Sequence, residues 1–238
     1  MTTILALDAS TDACSVALAR DGEIDAIFEL VPREHNHRLF SMLRTLLPGG
    51  AQAAALDMLA YCAGPGSFTG LRVASSAVQG LAYTLNLPVA GVSTLACLAQ
   101  GALRRGVVSA TDTAFVLLDA RINEIYCGLY RFEQGLPVAC REDQVLAPAS
   151  LPADYLQGQQ RVVAMGSGLP YLTQLPGPVQ AEVADVLEDC WPHSEDLIPL
   201  AQRAAALGLL SGASSVHPVY LRNEVQWKKL SEQGPRGG

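Results

Sequence analysis

The sequence predicts an α/β protein of two related lobes, each a mixed sheet flanked by helices. Three observations lead there. Short apolar runs of strand length alternate with amphipathic runs of helix length through most of the chain; the hairpin pattern of the first twenty residues restarts near Ala114; and no run approaches the roughly 18 apolar residues of a membrane span. With 238 residues, 50% hydrophobic and 16% charged, the chain can bury one large core or two modest ones. A formal net charge of −7 excludes a surface built as a whole for nucleic acid, which needs concentrated Lys and Arg. The first apolar run is broken by Asp8 with no basic segment ahead of it, so a cytoplasmic protein, neither exported nor membrane-inserted, is expected. Cys14, Cys62, Cys97, Cys127, Cys140 and Cys190 form no C-x-x-C pair and read as small core residues.

Thr3 to Asp8 reads as a buried strand, Ser10 to Ala13 as a turn of small residues, and Cys14 to Ala19 as a second strand. Asp21-Gly22 closes a hairpin into a third strand, Glu23 to Val31. A helix from His35 to Leu47 stops before Pro48-Gly49-Gly50. A buried strand, Asp57 to Ala63, leads into the glycine loop Gly64-Pro65-Gly66-Ser67-Phe68-Thr69-Gly70, which launches a long helix from about Phe68 to Asn86. A strand at Pro88 to Val92 and a helix ending near Arg105 complete an N-terminal lobe over residues 1–105.

A C-terminal lobe is expected over residues 106–225. Phe115 to Leu118 with Asp119-Ala120 matches Ile4 to Leu7 with Asp8-Ala9, Tyr126 to Leu129 matches Ser15 to Leu18, and Gln134-Gly135 mirrors Asp21-Gly22. This spacing, far longer than a solenoid repeat, fits duplication of a whole lobe, with chance similarity of two apolar hairpins as the alternative. Strands at Val138 to Leu146 and Arg161 to Met165, a Gly166-Ser167-Gly168 turn and a helix near Leu197 to Leu210 follow, less regularly than in the first half. The tail, residues 226–238, carries Trp227-Lys228-Lys229, loses periodicity and is expected to fray.

In the glycine loop, Pro65 fixes a strand-to-helix turn and Ser67 or Thr69 can cap the helix. Such a loop can present N–H groups to an anion, yet it matches neither a Walker loop nor G-x-G-x-x-G. A tight structural turn is the alternative. The helix behind it carries an apolar stripe, Leu71, Ala74, Val78, Leu81 and Leu85, beside a row of mostly small residues, Gly70, Val73, Ala77, Gly80 and Thr84. The helix from His35 likewise has more apolar residues than one stripe, among them Leu39, Phe40, Met42, Leu43, Leu46 and Leu47. Two helices with surplus apolar surface in one lobe predict a protein interface.

Catalytic constellations are absent from the pattern. His35 and His37 diverge by about 200° on a helix and cannot share a metal, and His193 and His217 are isolated. No G-x-S-x-G or H-E-x-x-H occurs. Asp8 and Asp119, each ending a strand before a turn, are the only paired carboxylates with a structural logic. In a duplicated ATPase they would hold hydrated magnesium, but Arg121-Ile122-Asn123 puts bulky side chains where a phosphate hairpin wants glycine.

Leu5 to Thr11, Gly64 to Val73, Gly91-Val92-Ser93-Thr94-Leu95 and Pro218-Val219-Tyr220-Leu221-Arg222-Asn223 together resemble the TsaB (YeaZ) family, over nearly the whole chain. The resemblance implies an actin/Hsp70/sugar-kinase-like fold. It also implies a cytoplasmic accessory subunit, itself no enzyme, for threonylcarbamoyl transfer to tRNA, bound to its paralogue TsaD, with TsaE, and homodimeric when alone. The metal pair of the catalytic paralogue falls on Thr94 and Leu98 here, so no metal or cofactor is expected on this chain alone, and nucleotide is expected only at a joint site with the partner. Contact with tRNA is expected to be indirect or weak. Arg33, His35, Leu39, Phe40, Leu43, Leu47, Gly70, Val73, Ala77, Gly80 and Thr84 become candidate interface residues, with Arg33-Glu34-His35 at its rim. Asp8, Ser10, Thr11 and Asp119 become a vestigial nucleotide site. The alternative is an ATPase or small-molecule kinase using Asp8 and Asp119, and an old glycoprotease label for the wider family adds a metalloprotease as a third reading.

Overall fold

The computed structural model describes residues 2–221. Arg222-Asn223 and the Trp227-Lys228-Lys229 tail lie outside the described residues. The first sheet is made of β1 (Ile4–Asp8), β2 (Ala13–Arg20), β3 (Glu23–Leu30), β4 (Met58–Gly64) and β5 (Val89–Ser93), in the order β3-β2-β1-β4-β5. β1, β2 and β3 are antiparallel neighbours, and β4 and β5 add in parallel. The second sheet is built from β6 (Thr113–Arg121), β7 (Glu124–Glu133), β8 (Leu136–Ala139), β10 (Val162–Met165) and β11 (Val183–Leu187), with β9 (Gln144–Leu146) pairing β7. Taken from β8 to β11, it repeats the first sheet strand for strand, with the same antiparallel and parallel pairs. The duplication inferred from two apolar hairpins therefore extends to five strands, as the two-lobed fold requires.

The shared turns are physical as well as textual. Asp21 and Gly22 have φ of 53° and 89°, Gln134 and Gly135 of 53° and 77°; two consecutive positive φ values give the turn whose twist matches a hairpin. β1 and β4 are buried along their whole length, as central strands covered on both faces must be. The outer face of the first sheet packs Leu5, Leu7, Val16 and Leu59 against Leu39 and Met42 of α1 (His35–Leu46) and Ala74 and Val78 of α3 (Phe68–Leu85). β3 is an exposed edge carrying Glu23, Asp25 and Glu29, charges that discourage edge pairing.

Between the sheets lie α4 (Thr94–Arg104) and α6 (Ser194–Ala206). Leu95, Leu98, Ala99 and Ala102 of α4 face Val116 and Leu118 of the second sheet. α6, expected in the C-terminal lobe, instead packs on β1, β2, β4 and β5 of the first. Its Leu197, Ile198 and Ala201 meet a face of small residues, Ala6, Ala17, Ala60 and Ala90, and Ser194 is anchored by its N–H and hydroxyl to Ser15. The run 106–225 is thus not one lobe; its α6 segment returns to the first. On the far side of the second sheet, Tyr155 and Leu156 with Val179 of α5 (Gly177–Glu182) close a fourth cluster.

Three other expectations are corrected. The strand read from Val138 to Leu146 is two strands, β8 and β9, separated by a loop that carries Asp143. β11, α5 and a short α2 (Gly50–Ala53) were not foreseen, the last because Gly49-Gly50 reads only as a breaker. In the hairpins, Asp8 pairs Ser15 while Asp119 pairs Ile125, one residue off the textual match. The second hairpin closes through Arg121, Ile122 and Asn123, all at positive φ between 55° and 63°, a tighter turn than Ser10 to Asp12 allows.

Candidate functional site

The glycine loop leaves β4 through Gly64, at φ 127°, and Ser67 caps α3 by accepting from the Gly70 N–H at 3.3 Å. Its free surface faces its own chain. The Ser67 N–H donates to the Ser10 carbonyl at 2.7 Å, and a Cβ on Gly66 or Gly70 would overlap the carbonyl oxygens of Ser10 and Ala9. The space a phosphate cradle needs is filled by the β1–β2 turn. The C-terminal strap closes the other side: the Val219 N–H donates to Ala63 O at 2.7 Å, Tyr61 Oη donates to His217 O at 3.0 Å, and a Cβ on Gly64 would sit 2.5 Å from Val219 O. Two of the motifs that carry the family resemblance, about 150 residues apart, meet here.

The expected nucleotide residues are all engaged within the chain. Asp8 is fully buried. Its Oδ1 accepts from the Ser10 N–H at 3.1 Å and the Ser10 hydroxyl at 2.6 Å, while Oδ2 is buried without a partner. Burial pushes this carboxyl up, against the opposing pull of the Ser10 hydrogen bonds, the neighbouring Cys62 thiol and the nearby His35. Thr11 offers its carbonyl to His35 Nε2 at 2.7 Å, the ring donating, and its hydroxyl oxygen to the Ala13 N–H. Asp119 Oδ1 accepts from the Arg121 N–H at 2.8 Å and Tyr171 Oη at 3.2 Å, and Oδ2 from Arg121 Nη1 at 3.0 Å. A hydrated magnesium needs open, ionised oxygens; one carboxyl is sealed and the other is paired. Thr94 and Leu98 are fully buried. The Thr94 hydroxyl has no partner and Leu98 has no donor atom, so these residues do not fit a metal. Among the described residues, no group of three or more His, Cys, Asp or Glu could hold a metal ion.

The candidate interface residues divide by burial. Leu39 and Leu47 belong to the lobe's own core, Gly70 packs on Ala9, and His35 is spent on Thr11; for these four a partner-facing position is corrected, because the sheet face takes the two leucines and the β1–β2 turn takes Gly70 and His35. Leu43 and Val73 are half-buried against the same core. Arg33, Phe40, Gly80 and Thr84 are exposed. Phe40, Ala77, Gly80 and Thr84 come together in one open groove of about 550 Å³, walled by α1 and α3 and floored by Gly49 to Gln52 around α2. Phe40 is 47% exposed at its edge. The small side chains of Ala77, Gly80 and Thr84 leave the groove open along this side of α3.

A second polar cluster escaped prediction. Ser93, the cap of α4, donates to Asp143 Oδ2 at 2.6 Å, and Tyr130 Oη donates to Oδ1 at 2.5 Å. It ties the first lobe to the loop between β8 and β9. Burial pushes the Asp143 carboxyl up, with the Ser93 and Tyr130 hydrogen bonds opposing. Sequence offers no signal for it, since Asp143 lies 50 residues from Ser93.

Residues 27–208 match the family model described as TsaD, tRNA N6-adenosine threonylcarbamoyltransferase. The chain is 39% identical over 229 residues to the tRNA threonylcarbamoyladenosine biosynthesis protein TsaB of Escherichia coli, covering 95% of this chain and 97% of that protein. It is 34% identical to the TsaB of Haemophilus influenzae, covering 96% and 97%. The solved structure of YeaZ from Pseudomonas aeruginosa superposes with a TM-score of 0.84 at 38% identity, over 93% of this chain and 100% of that one. Another from the same organism, described as similar to peptidase YEAZ, matches with the same score at 39% identity.

Proposed function

The chain belongs to the TsaB (YeaZ) family, with the actin-like duplicated fold of its TsaD relatives, and from that premise we propose that it serves tRNA threonylcarbamoyladenosine synthesis as a non-catalytic partner of TsaD. In this reading the groove between α1 and α3 seats a helix of TsaD, and in its absence a second copy of this chain. TsaE joins the pair, and nucleotide or metal chemistry belongs to the joint assembly. No helix among the described residues is long and apolar enough to cross a membrane, in keeping with a cytoplasmic tRNA substrate.

The observation that carries the proposal is the contrast between the two candidate sites. The nucleotide cradle is filled by the chain's own backbone, with Asp8 sealed in it, whereas the groove is open, apolar and rimmed by Phe40. Exposed apolar surface of this kind is costly unless a partner covers it. The test is co-elution of the purified chain with TsaD, using Phe40→Asp and Gly80→Arg. Loss of co-elution by both folded variants supports the groove; retention by both sinks it. Leu43→Asp is unsuitable, because Leu43 also packs on the core. Calorimetry on the isolated chain is expected to give no magnesium–nucleotide binding, and a stoichiometric heat would favour the kinase reading through Asp8 and Asp119.

A further inference from the structure

Three residues of the glycine-loop and strap motifs lie on the surface, outside the packing that explains their neighbours. Phe68, the first residue of α3, is 57% exposed and Tyr220 is 44% exposed. Their rings stand 5.6 Å apart at 33°. The Arg72 guanidinium lies 3.9 Å over the Phe68 ring, and its Nε donates to Tyr220 Oη at 3.1 Å. These contacts orient the guanidinium while using one of its nitrogens. No carboxylate pairs with Arg72 among the described residues, unlike Arg38, Arg104, Arg121, Arg131 and Arg161. On a chain of net charge −7, an ordered, unpaired arginine between two exposed rings suits a ligand that presents a flat ring and an anion together. A nucleotide unit does so: the base stacks on aromatic and guanidinium planes, and the phosphate takes the free guanidinium edge.

We propose that Phe68, Arg72 and Tyr220 form a stacking platform for an unpaired base of an RNA strand and its adjoining phosphate. The choice of an RNA strand over a free nucleotide rests on the tRNA reading above. Phe68 and Gly80 are twelve residues apart in α3, about 18 Å along the helix, so the platform and the groove are separate ends of one element. Such a platform is sequence-tolerant and complements a partner that does the chemistry.

The test is fluorescence anisotropy of the full chain, alone and co-eluted with TsaD, against a labelled unstructured oligoribonucleotide and a tRNA anticodon stem–loop, with AMP as competitor. Phe68→Ala combined with Tyr220→Ala is expected to weaken RNA binding about 10-fold or more, and Phe68→Tyr to retain it. Arg72→Gln is expected to weaken binding and lower the salt slope by about one. Tyr83→Ala, at the far end of α3, leaves it unchanged. Melting temperatures establish that each variant is folded. RNA binding unchanged in the double variant, or undetectable for the wild type in both forms, overturns the proposal. So does AMP competing as well per nucleotide as the oligomer, which would make this a free-nucleotide site, or loss of TsaD co-elution with RNA binding intact, which would make it a protein contact. If tRNA modification proves independent of this chain, the function reading falls, while the platform is still judged by the anisotropy alone.

Discussion

Gly80 offers a perturbation in which stability and partner binding move in opposite directions. It lies in the exposed middle of α3, with nothing within 4 Å of where its Cβ would stand, and its carbonyl accepts from Thr84 Oγ1 at 2.8 Å. In a helix interior, glycine is about 0.8–1 kcal/mol worse than alanine, and arginine is nearly as good as alanine. Gly80→Ala and Gly80→Arg should therefore each stabilise the isolated chain by roughly 1 kcal/mol, raising the melting temperature by about 2–4 °C for a chain of this size. The arginine also places a charge inside the apolar groove. Stranding an unpaired charge in a closed interface costs about 3 kcal/mol or more, which is over 100-fold in Kd. Thermal melts at low protein concentration read the first effect, and titration with TsaD reads the second. A Gly80→Arg chain less stable than wild type, or one with unchanged affinity for TsaD, would refute the reasoning.

The filled cradle makes Gly70→Ala the opposite case: the new Cβ must displace the Ala9 backbone, so a net loss of about 1–3 kcal/mol is expected in urea denaturation, and no loss would show that the turn yields freely. Asp8 has its folded pKa raised above 3.8 by burial, so the native state holds its proton more tightly and stability falls as pH rises from 3.8 through the folded pKa. Asp8→Asn should be more stable than wild type at neutral pH, with the advantage gone below about pH 4; urea midpoints across pH 4 to 8 check the sign, and a variant less stable at neutral pH contradicts it. Ser93→Ala removes both the α4 cap and a donor to half-buried Asp143, and should cost about 2 kcal/mol, at the upper end for a cap. Hydrogen exchange should then rise in residues 140–146, and unaltered exchange there would mean that Tyr130 alone holds the loop.

Much of the fold was legible because its signals are local. Short apolar runs of strand length mark β1, β2, β6 and β7, and Asp21-Gly22 and Gln134-Gly135 announce their turns by residue type alone. The destination of α6 was not legible: Leu197, Ile198 and Ala201 specify an apolar stripe, but only the small-residue face of the first sheet says which lobe it covers. The split between β8 and β9 was hidden for a similar reason, since Asp143 is drawn out of the strand by Ser93 and Tyr130. At the candidate site, Ala77, Gly80 and Thr84 of the small row of α3 line the groove, whereas Gly70 and Val73 pack on the chain itself. The apolar surplus of α1 misled for Leu39 and Leu47, because periodicity counts apolar residues without counting what the lobe's own sheet consumes. The glycines of the loop invited a phosphate reading, and it took the positions of the Ala9 and Ser10 carbonyls to show what they accommodate.

Threonylcarbamoyl transfer to tRNA, measured with TsaD and TsaE with and without this chain, tests most directly whether it acts as a non-catalytic partner. Transfer should depend on the chain, be lost with Gly80→Arg and survive Asp8→Asn combined with Asp119→Asn. Transfer without the chain, or transfer lost in the double carboxylate variant while its co-elution with TsaD is intact, would contradict that role.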